Sequence, residues 1–344
     1  MSERDRKLSV GVIGLGMQGH GHLVNLASDP RVELRAVCDI NPETLQEQGD
    51  EFDVDLRFKS YEDLIAAEEV DAVVIVLPDH LHRDVAVMAL KAGKDVLLEK
   101  PMALTVEDAE AIAAADAESD GCFMLNLSNR WMYTFSKGKE RIDEGEVGEV
   151  RYVFARLANR IDVPTQLLPW LQHSHVAHWI GVHRLDIARW WIGREVRRVR
   201  AVQRRGILAE RGIDVPDFYQ ATIEFEGGAV LSLEGNWVLP TSYPSLVDSR
   251  FYALCSDGVI DVDRMRSSMM VGGSEGFDMA TPTNGAVHGQ AAGFTYGSSR
   301  HFVGCALEGR EPMVGAKDGV ALTRTLCALV ESAEADGKVM ELSR

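Results

Sequence analysis

The chain has few cysteines and no long apolar segment. Its five cysteines are odd in number, scattered and mostly embedded in apolar runs, which is typical of reduced core thiols rather than of a disulfide framework. Residues 1–8 contain no apolar signal-peptide core, and no stretch approaches the ~18 uninterrupted apolar residues of a membrane span. These absences predict a cytoplasmic protein that does not associate with membranes.

An excess of positive charge is also missing, because the formal net charge is -17. Binding to nucleic acids depends largely on lysines and arginines that neutralise phosphates, so we expect no nucleic-acid partner. The one basic cluster, at 197–205, alternates with apolar residues and is better explained as a strand with a solvated face.

The length of 344 residues favours two domains over one. Residues 1–125 alternate short β-branched runs with amphipathic helical stretches, which predicts a doubly wound parallel sheet of the Rossmann type. The predicted helices carry end signals, with Gly93 after one helix and Thr105 before another.

Residues 126–344 predict a second domain of the α+β class with a largely antiparallel sheet. We expect a helix over 131–144, a loop-like region over 272–299 that is rich in Gly, Ser and Thr, and a final helix over about 318–335 that packs back on the body. The predicted strands are 150–157, 197–204, 219–226, 229–235, 250–255 and 258–262, with a turn at Gly227-Gly228.

A glycine motif follows the first predicted strand and opens a helix. The residues are Gly14, Gly16, Met17, Gln18 and Gly19, in the G-x-G-x-x-G pattern with Leu15 inside it. In this context the glycines permit a tight turn and close approach of a pyrophosphate to the N–H groups at the helix N-terminus. The alternative is a tight turn that binds nothing.

Asp39 ends the second predicted strand, 20 positions after Gly19, where a carboxylate can accept hydrogen bonds from ribose hydroxyls. The same charge would repel a 2′-phosphate, so the sequence favours NAD over NADP as cofactor. Arg57 or Lys59 could fold nearby and weaken this preference, and Asp39 could instead be a turn former before Asn41.

The segment from 70 to 105, VDAVVIVLPDHLHRDVAVMALKAGKDVLLEKPMALT, resembles the glucose-fructose oxidoreductase and inositol dehydrogenase family, known as Gfo/Idh/MocA. Asn129-Arg130, the Gly181-x-His183-x-x-Asp186 segment and the segment from 301 to 319 carry the resemblance over essentially the whole chain. It implies oxidation of sugar or polyol hydroxyls and an open-faced C-terminal sheet that commonly forms the contact of a homodimer or homotetramer. It also implies cofactor contacts at Pro78, His82, Glu99, Lys100 and Pro101.

Lys100 is the first candidate catalytic residue. It falls at the C-terminal end of a predicted parallel strand, the edge at which such sheets bind ligands. An ammonium there could stabilise a developing alkoxide, and Pro101 would hold the turn that directs it. The alternative is a surface lysine that caps the strand end.

Hydride transfer from an alcohol also needs a base, and histidine suits neutral pH. By resemblance, His183 is that base, and it shares a helix face with Asp186 within a helix predicted over 174–191. Many family members have an aspartate four residues before the histidine, where this chain has Trp179. Whether the adjacent His178 substitutes for that aspartate is open, and His183 could instead be a helix-packing residue.

Four histidines in 173–183 also permit a metal hypothesis, with Asp162 or Glu234 as further ligands, but their spacing matches no helix-borne metal motif well. We expect no metal. Carbohydrate sites combine aromatic faces with directional polar groups, which suggests a set of substrate contacts. The candidates are Asn129, Arg130, Trp131, Asn159, Arg160, His178, Trp179 and Asp186, with Tyr133, Trp170, Trp237 and Tyr243 as further possibilities.

Two other functions stay open. One is a lyase or glycosidase that keeps NAD bound and oxidises a sugar hydroxyl transiently. The other is a non-catalytic dinucleotide sensor, which the presence of Lys100 and His183 disfavours and Trp179 mildly favours.

Overall fold

The structure is a computed structural model that describes residues 6–264, 269–273, 276–280, 284–288 and 290–342. The chain divides into two compact units. The first unit comprises Met1–Trp131 and Asn284–Val320, and the second comprises Met132–Thr283 and Ala321–Arg344. The prediction assigned residues 126–344 to the second domain and did not foresee that residues 284–320 return to the first unit.

The first unit contains a six-stranded parallel sheet in the order β3-β2-β1-β4-β5-β6. This order is that of the Rossmann fold, which confirms the predicted fold class. The strands β1 and β4 and the middle of β5 are almost wholly apolar and buried, as expected when helices cover both faces. The elements are β1 (Leu8–Ile13), α1 (Met17–Ala27), β2 (Val32–Cys38), α2 (Pro42–Glu51), β3 (Leu56–Phe58), α3 (Tyr61–Ala66), β4 (Ala72–Ile75), α4 (His82–Lys91), β5 (Asp95–Glu99), α5 (Val106–Glu118) and β6 (Phe123–Asn126).

Helix ends in this unit follow their sequence signals. Asn41 caps α2 by accepting from the backbone N–H groups of Glu43 and Thr44. Thr105 caps α5 through the N–H of Asp108, as predicted, and Gly93 after α4 has a φ of 72°. These residues determine where α2 and α5 begin and where α4 ends.

The second unit is built on a mixed sheet in the order β12-β11-β7-β10-β9-β8-β17, in which only the β7–β10 pair is parallel among the described strands. The largely antiparallel prediction is confirmed, and the basic cluster lies on β8 with Arg198 paired to Glu224. The elements are α6 (Tyr133–Asp143), β7 (Val150–Arg160), α7 (Val182–Ile192), β8 (Val196–Arg204), β9 (Phe218–Phe225), β10 (Val230–Leu239), β11 (Val247–Cys255), β12 (Val259–Asp263), β13 (Met269–Gly273) and β14 (Gly276–Ala280).

The prediction of a loop over 272–299 was wrong for much of that region. The structure has the β13–β14 pair, a second pair formed by β15 (Asn284–Val287) and β16 (Gln290–Gly293), and helix α8 (Phe294–Glu308). Residues 274–275, 281–283 and 289 lie outside the described residues. Packing stabilises α8 despite its Gly- and Ser-rich start, because Phe302 and Val303 join the core that contains Leu23 and Leu26 of α1.

The chain ends with α9 (Ala316–Glu334) and the short strand β17 (Met340–Glu341), which pairs with β8. The predicted final helix is therefore present, shifted by one or two residues. None of the helices in the described part of the chain is long and apolar enough to cross a bilayer.

Candidate functional site

Each glycine of the motif after β1 is required for a different reason. Gly14 has a φ of 90°, and a Cβ there would lie 2.2 Å from the carbonyl oxygen of Val76. A Cβ on Gly19 would lie 2.0 Å from the carbonyl oxygen of Gly14, so this position keeps α1 close to the turn. A Cβ on Gly16 would meet nothing within 4 Å. Gly14 and Gly19 are therefore needed by the fold, whereas Gly16 leaves space for an approaching group.

The N-terminus of α1 opens on that space. Gly16, Met17 and Gln18 are exposed, no side chain caps the helix, and its first turn has no acidic residue. The first N–H groups of a helix lack intrahelical partners and carry a partial positive charge, which suits them to bind an anion. The geometry of this turn fits the pyrophosphate of a dinucleotide.

Asp39 connects the glycine turn to the end of β2. Its Oδ2 accepts from the N–H of Leu15 and its Oδ1 from the N–H of Asn41, both at 2.8 Å. Each carboxylate oxygen has a further lone pair, so the partly exposed group can still accept hydroxyl donors. Arg57 does not compensate this charge, because its guanidinium donates to Asp50 at 2.6 Å and to the carbonyl of Val54 at 2.7 Å.

The segment Glu99-Lys100-Pro101 lies where β5 ends, and the parallel pairing of β1, β4 and β5 places it at the same sheet edge as the glycine turn. The Glu99 carboxylate accepts from His22 Nε2 at 3.0 Å, from Asn126 Nδ2 at 2.6 Å and from the N–H of Lys100 at 3.1 Å. Burial opposes its ionisation, but the hydrogen bond from His22 and the charge of Lys100 lower the pKa of Glu99 to about 2.

Lys100 is partly buried beside two carboxylates. Burial lowers the pKa of its ammonium to about 8, and the charges of Glu99 and Asp79 keep it from falling further. The Lys100–Pro101 peptide is cis. An ammonium with a pKa near neutrality can donate a proton and can also lose one during a reaction, which suits it to acid–base chemistry.

His82 lies beneath this segment at 1% exposure. Its Nδ1 is 2.7 Å from the carbonyl oxygen of Pro101 and its Nε2 is 2.9 Å from that of Leu77. Burial lowers the pKa of His82. The two carbonyl oxygens act in the opposite direction, because they favour the protonated ring. The ring links the turn after β5 to the end of β4, just before Pro78 begins the next turn. A neutral ring has one N–H, so His82 donates to one of these two carbonyls at a time and positions the backbone there.

Three candidate substrate contacts, Asn129, Arg130 and Trp131, follow β6 in the first unit. Asn129 and Arg130 are buried, and Arg130 donates to the carbonyl of Met313 at 3.1 Å and pairs with Asp318 at 3.4 Å. The ring of Trp131 lies 5.1 Å from that of His301. The contacts of Arg130 and Trp131 thus bind this turn to residues 301–318 of the same unit.

The predicted helix over 174–191 is in fact two elements in the second unit. Residues Ala177–Gly181 form a π-helical turn, and α7 begins at Val182, so His183 and Asp186 lie on α7 whereas His178 and Trp179 lie in the wider turn. Insertions of π-helical turns are often found at functional sites. Asp186 is 1% exposed, and the Trp179 ring lies 5.4 Å from that of Trp170.

The histidines of this segment differ in their partners. His175 accepts from the N–H of Ala177 at 3.0 Å through Nδ1, so its Nε2 carries the proton that is donated to Gln203 at 2.7 Å. His178 is 5% exposed, and neither ring nitrogen has a hydrogen-bond partner among the described residues. Burial lowers the pKa to about 4 for His175 and to about 3 for His178. Both rings are therefore neutral at neutral pH.

Two further candidates lie at the end of β7. Arg160 forms an ion pair with Asp162, and Asn159 is buried. Across the described residues, no three His, Cys, Asp or Glu side chains converge in a way that could hold a metal ion.

Sequence reasoning missed His22, Asn126 and Ser298, which together hold Glu99. Ser298 Oγ donates to Asn126 Oδ1 at 2.6 Å. The three residues come from α1, β6 and α8, so no local pattern links them to Glu99. The only signal was the position of His22 three residues after Gly19, one turn along the helix that the motif opens.

Two sequence models of one family match this chain. Residues 8–127 match the Gfo/Idh/MocA model described as "Oxidoreductase family, NAD-binding Rossmann fold", and residues 135–261 match the C-terminal domain of the same family. The two matches follow one another along the chain and correspond to the two sheets.

Curated relatives include dehydrogenases of cyclic polyols. The chain is 32% identical over 199 residues to an inositol 2-dehydrogenase of Salmonella paratyphi B, covering 56% of this chain and 57% of that protein. It is 25% identical over 317 residues to the scyllo-inositol 2-dehydrogenase (NAD(+)) of Bacillus subtilis, covering 90% and 89%. The chain thus spans little more than half the length of the first of these relatives.

Solved structures share the fold over almost the whole chain. The scyllo-inositol dehydrogenase of Lactobacillus casei, solved with bound NAD(H) and scyllo-inositol, has a TM-score of 0.84 at 21% identity and covers 98% of this chain and 99% of that one. The myo-inositol 2-dehydrogenase of Lactobacillus plantarum has a TM-score of 0.86 at 20% identity, covering 98% and 100%.

Proposed function

Because the chain belongs to the Gfo/Idh/MocA family of oxidoreductases, we propose that it is an NAD-dependent dehydrogenase that transfers hydride between a polyol or sugar carbinol and nicotinamide. The observation that carries this proposal is the position of Lys100. Its ammonium follows β5 at the same sheet edge as the glycine turn, and the buried carboxylate of Glu99 stands beside it. A cation beside a dinucleotide turn is suited to stabilise the charge that develops on the oxygen during alcohol oxidation.

NAD fits the residues of the first unit. The N–H groups at the start of α1 would hold the pyrophosphate above Gly16, and Asp39 would accept from the ribose hydroxyls. Ile40 is 87% exposed and Met17 is 58% exposed, so both could cover the faces of the adenosine. Since Arg57 is occupied by Asp50, it does not offset the charge of Asp39, which supports NAD over NADP. The bound nicotinamide would accept the hydride.

Lys100 and His183 are the proposed catalytic residues. The Lys100 ammonium would donate a hydrogen bond to the substrate oxygen and stabilise the charge that develops as the hydride leaves. His183 would take the hydroxyl proton, which must leave as the carbonyl forms. His82 and Pro101 would keep the turn in place, with the His82 ring holding the Pro101 carbonyl.

An inositol or a related polyol is the proposed substrate class. The support is that both curated relatives described above are inositol dehydrogenases, and one of them matches nine-tenths of this chain. The aromatic pair of Trp170 and Trp179 is suited to the apolar face of a sugar or cyclitol ring. Neither the transient-oxidation lyase nor the dinucleotide sensor is supported by these relatives.

A homodimer or homotetramer formed through the second sheet is also proposed. The cross-strand pair of Leu254 and Val259 lies on β11 and the edge strand β12, with exposures of 43% and 54%. Tyr252 pairs with Phe154 on the same face, and both rings are half-buried. A contiguous apolar face of this kind is suited to a second copy of the chain. Cytoplasmic location is proposed on the five free cysteines, which fit a reducing compartment.

The test is NADH formation by the purified full-length protein, followed by absorbance. NAD and NADP are offered separately against scyllo-inositol, myo-inositol, acyclic polyols and aldoses. We expect reduction of NAD by one polyhydroxy class. Tight NAD binding without net reduction by any of these compounds would overturn the dehydrogenase and favour the lyase or the sensor.

A further inference from the structure

The Glu99 carboxylate is held by a buried clamp whose parts come from four elements of the first unit. His22 of α1 and Asn126 of β6 both donate to Oε1, while Oε2 accepts from the N–H of Lys100. His22 is 4% exposed and Asn126 is 3% exposed, so water does not compete well for these bonds. The clamp therefore fixes both the orientation and the charge of Glu99.

Ser298 of α8 completes the clamp. Its hydroxyl is fully buried and donates to Asn126 Oδ1 at 2.6 Å. An amide whose oxygen accepts from a hydroxyl must present its NH₂ group on the other side, which is the side that faces Glu99. Ser298 thus determines which way Asn126 points.

His22 contributes one proton to this arrangement. An ionised carboxylate only accepts, so Nε2 of His22 must donate to it. The other ring nitrogen, Nδ1, is buried and has no hydrogen-bond partner among the described residues. A histidine held in this way serves as a fixed donor to Glu99.

Four charged or titratable groups surround the Glu99-Lys100 segment. Glu99 itself lies at the end of β5, Asp79 in the turn after β4, His22 on α1 and His82 at the start of α4. Glu99 and Asp79 are the groups that favour the ammonium, and burial opposes it. Any change that moves the Glu99 carboxylate away from Lys100 therefore disfavours the ammonium.

We propose that His22 is a positioning residue for Lys100 that acts through Glu99, and that Asn126 and Ser298 form the second half of the same clamp. This inference rests on the proposed function only for its effect on catalysis. Without His22, Glu99 would keep its charge but would have one donor fewer to hold its orientation, so the carboxylate would be held less firmly beside Lys100. The Lys100 ammonium would then lose part of the stabilisation that this carboxylate provides.

The test measures the Lys100 amine directly, in the full-length protein without substrate. Competitive labelling with acetic anhydride at a series of pH values, read by mass spectrometry of the peptide that contains Lys100, gives the pKa of that amine. We expect His22→Leu to lower it by up to about one unit, because a displaced carboxylate loses only part of the effect of a nearby opposite charge. His22→Gln keeps a donor and should restore most of the loss.

A matched control lies on the same helix. His20 hydrogen-bonds to Gln48 and its side chain is 42% exposed, so His20→Leu should leave the Lys100 pKa unchanged. A folded His22→Leu protein with an unchanged Lys100 pKa would overturn the proposal. Because labelling needs no substrate, this result is independent of whether the protein oxidises polyols.

If His22→Leu does not fold, Ser298→Ala decides the question, since it removes one hydroxyl and leaves His22 in place. A smaller fall of the Lys100 pKa supports the clamp, and no change overturns it. Once a substrate is known, the decline of kcat/KM at high pH should move to lower pH in the same variants. A purely structural role would lower Tm and leave that decline where it is.

Discussion

Glu99 in the first unit and His178 in the second are both polar groups with little exposure, but they differ in their partners. Glu99 accepts three hydrogen bonds, whereas neither ring nitrogen of His178 has a partner among the described residues. A buried polar group without a partner costs about 1–3 kcal/mol. The Glu99 carboxylate is thus satisfied by the fold, while the segment around His178 retains a cost that stability alone does not explain.

Two neighbours of that segment repeat the pattern. The hydroxyl of Tyr219 and two nitrogens of Arg184, Nε and Nη1, are buried without hydrogen-bond partners in the described part of the chain. Burial lowers the pKa of Arg184 to about 9, with a further contribution from the charge of Arg264, and it raises the pKa of Tyr219. Such groups are often found where a protein binds a ligand, and the following predictions test this contrast.

The largest effect is expected at Lys100. Lys100→Ala should lower kcat/KM by about 10²–10³, because it removes the cation that stabilises the developing oxyanion. The Kd for NAD, measured by calorimetry, should change little, since Gly16 and Asp39 are untouched. If Lys100→Ala kept its turnover, the Glu99-Lys100 segment of the first unit would not carry the chemistry.

Gly14 and Gly16 form a matched pair with different expected losses. Gly14→Ala should destabilise the protein by several kcal/mol, of about the size expected for a backbone clash at positive φ. Gly16→Val should leave Tm within a few degrees of the parent but weaken NAD binding at least about tenfold, because its side chain would fill the open space. Equal loss of stability in both variants would contradict the separation of their roles.

Asp39→Asn is expected to change cofactor choice. The amide removes the repulsion of a 2′-phosphate while keeping one acceptor oxygen, so the ratio of kcat/KM for NADP to that for NAD should rise about tenfold. Glu43→Gln on the neighbouring helix α2 is the control and should leave the ratio unchanged. An unaltered ratio in Asp39→Asn would mean that the carboxylate does not face the ribose.

The smallest effect is expected at His178. His178→Phe should raise the free energy of unfolding by about 1 kcal/mol, because it replaces an unsatisfied buried ring with an apolar one. His175→Phe, which loses bonds to Gln203 and Ala177, should lower it. Urea denaturation measures both. If His178→Phe lost stability as His175→Phe does, the contrast between the satisfied Glu99 and the unsatisfied His178 would be contradicted.

Much of the first unit could be predicted from the sequence because its signals are local. The glycine motif, Asp39 and Glu99-Lys100-Pro101 each lie at a strand end, and a parallel sheet brings its carboxyl ends to one edge. The clamp on Glu99 could not be predicted, since Ser298 and Asn126 are 172 positions apart and His22 and Glu99 are 77 apart. Only the packing of α8 against α1 brings them together.

The second unit was harder to predict for a different reason. Alternating apolar residues identified its strands, but no residue pattern marks the π-helical turn at Ala177–Gly181 that separates His178 and Trp179 from α7. Helix α8 was missed because its glycines and serines favour a loop, and burial of Phe302 and Val303 outweighs that preference.

The central claim is that a hydride passes from a carbinol carbon to bound NAD. The direct measurement uses the best substrate of the polyol panel, deuterated at its carbinol carbons, and mass spectrometry of the recovered cofactor. The account predicts one deuterium in NADH, formed in amounts equal to the oxidised product, and a transfer that is about 10²–10³ slower with Lys100→Ala. Product without deuterated NADH, or cofactor that remains oxidised after turnover, would contradict it.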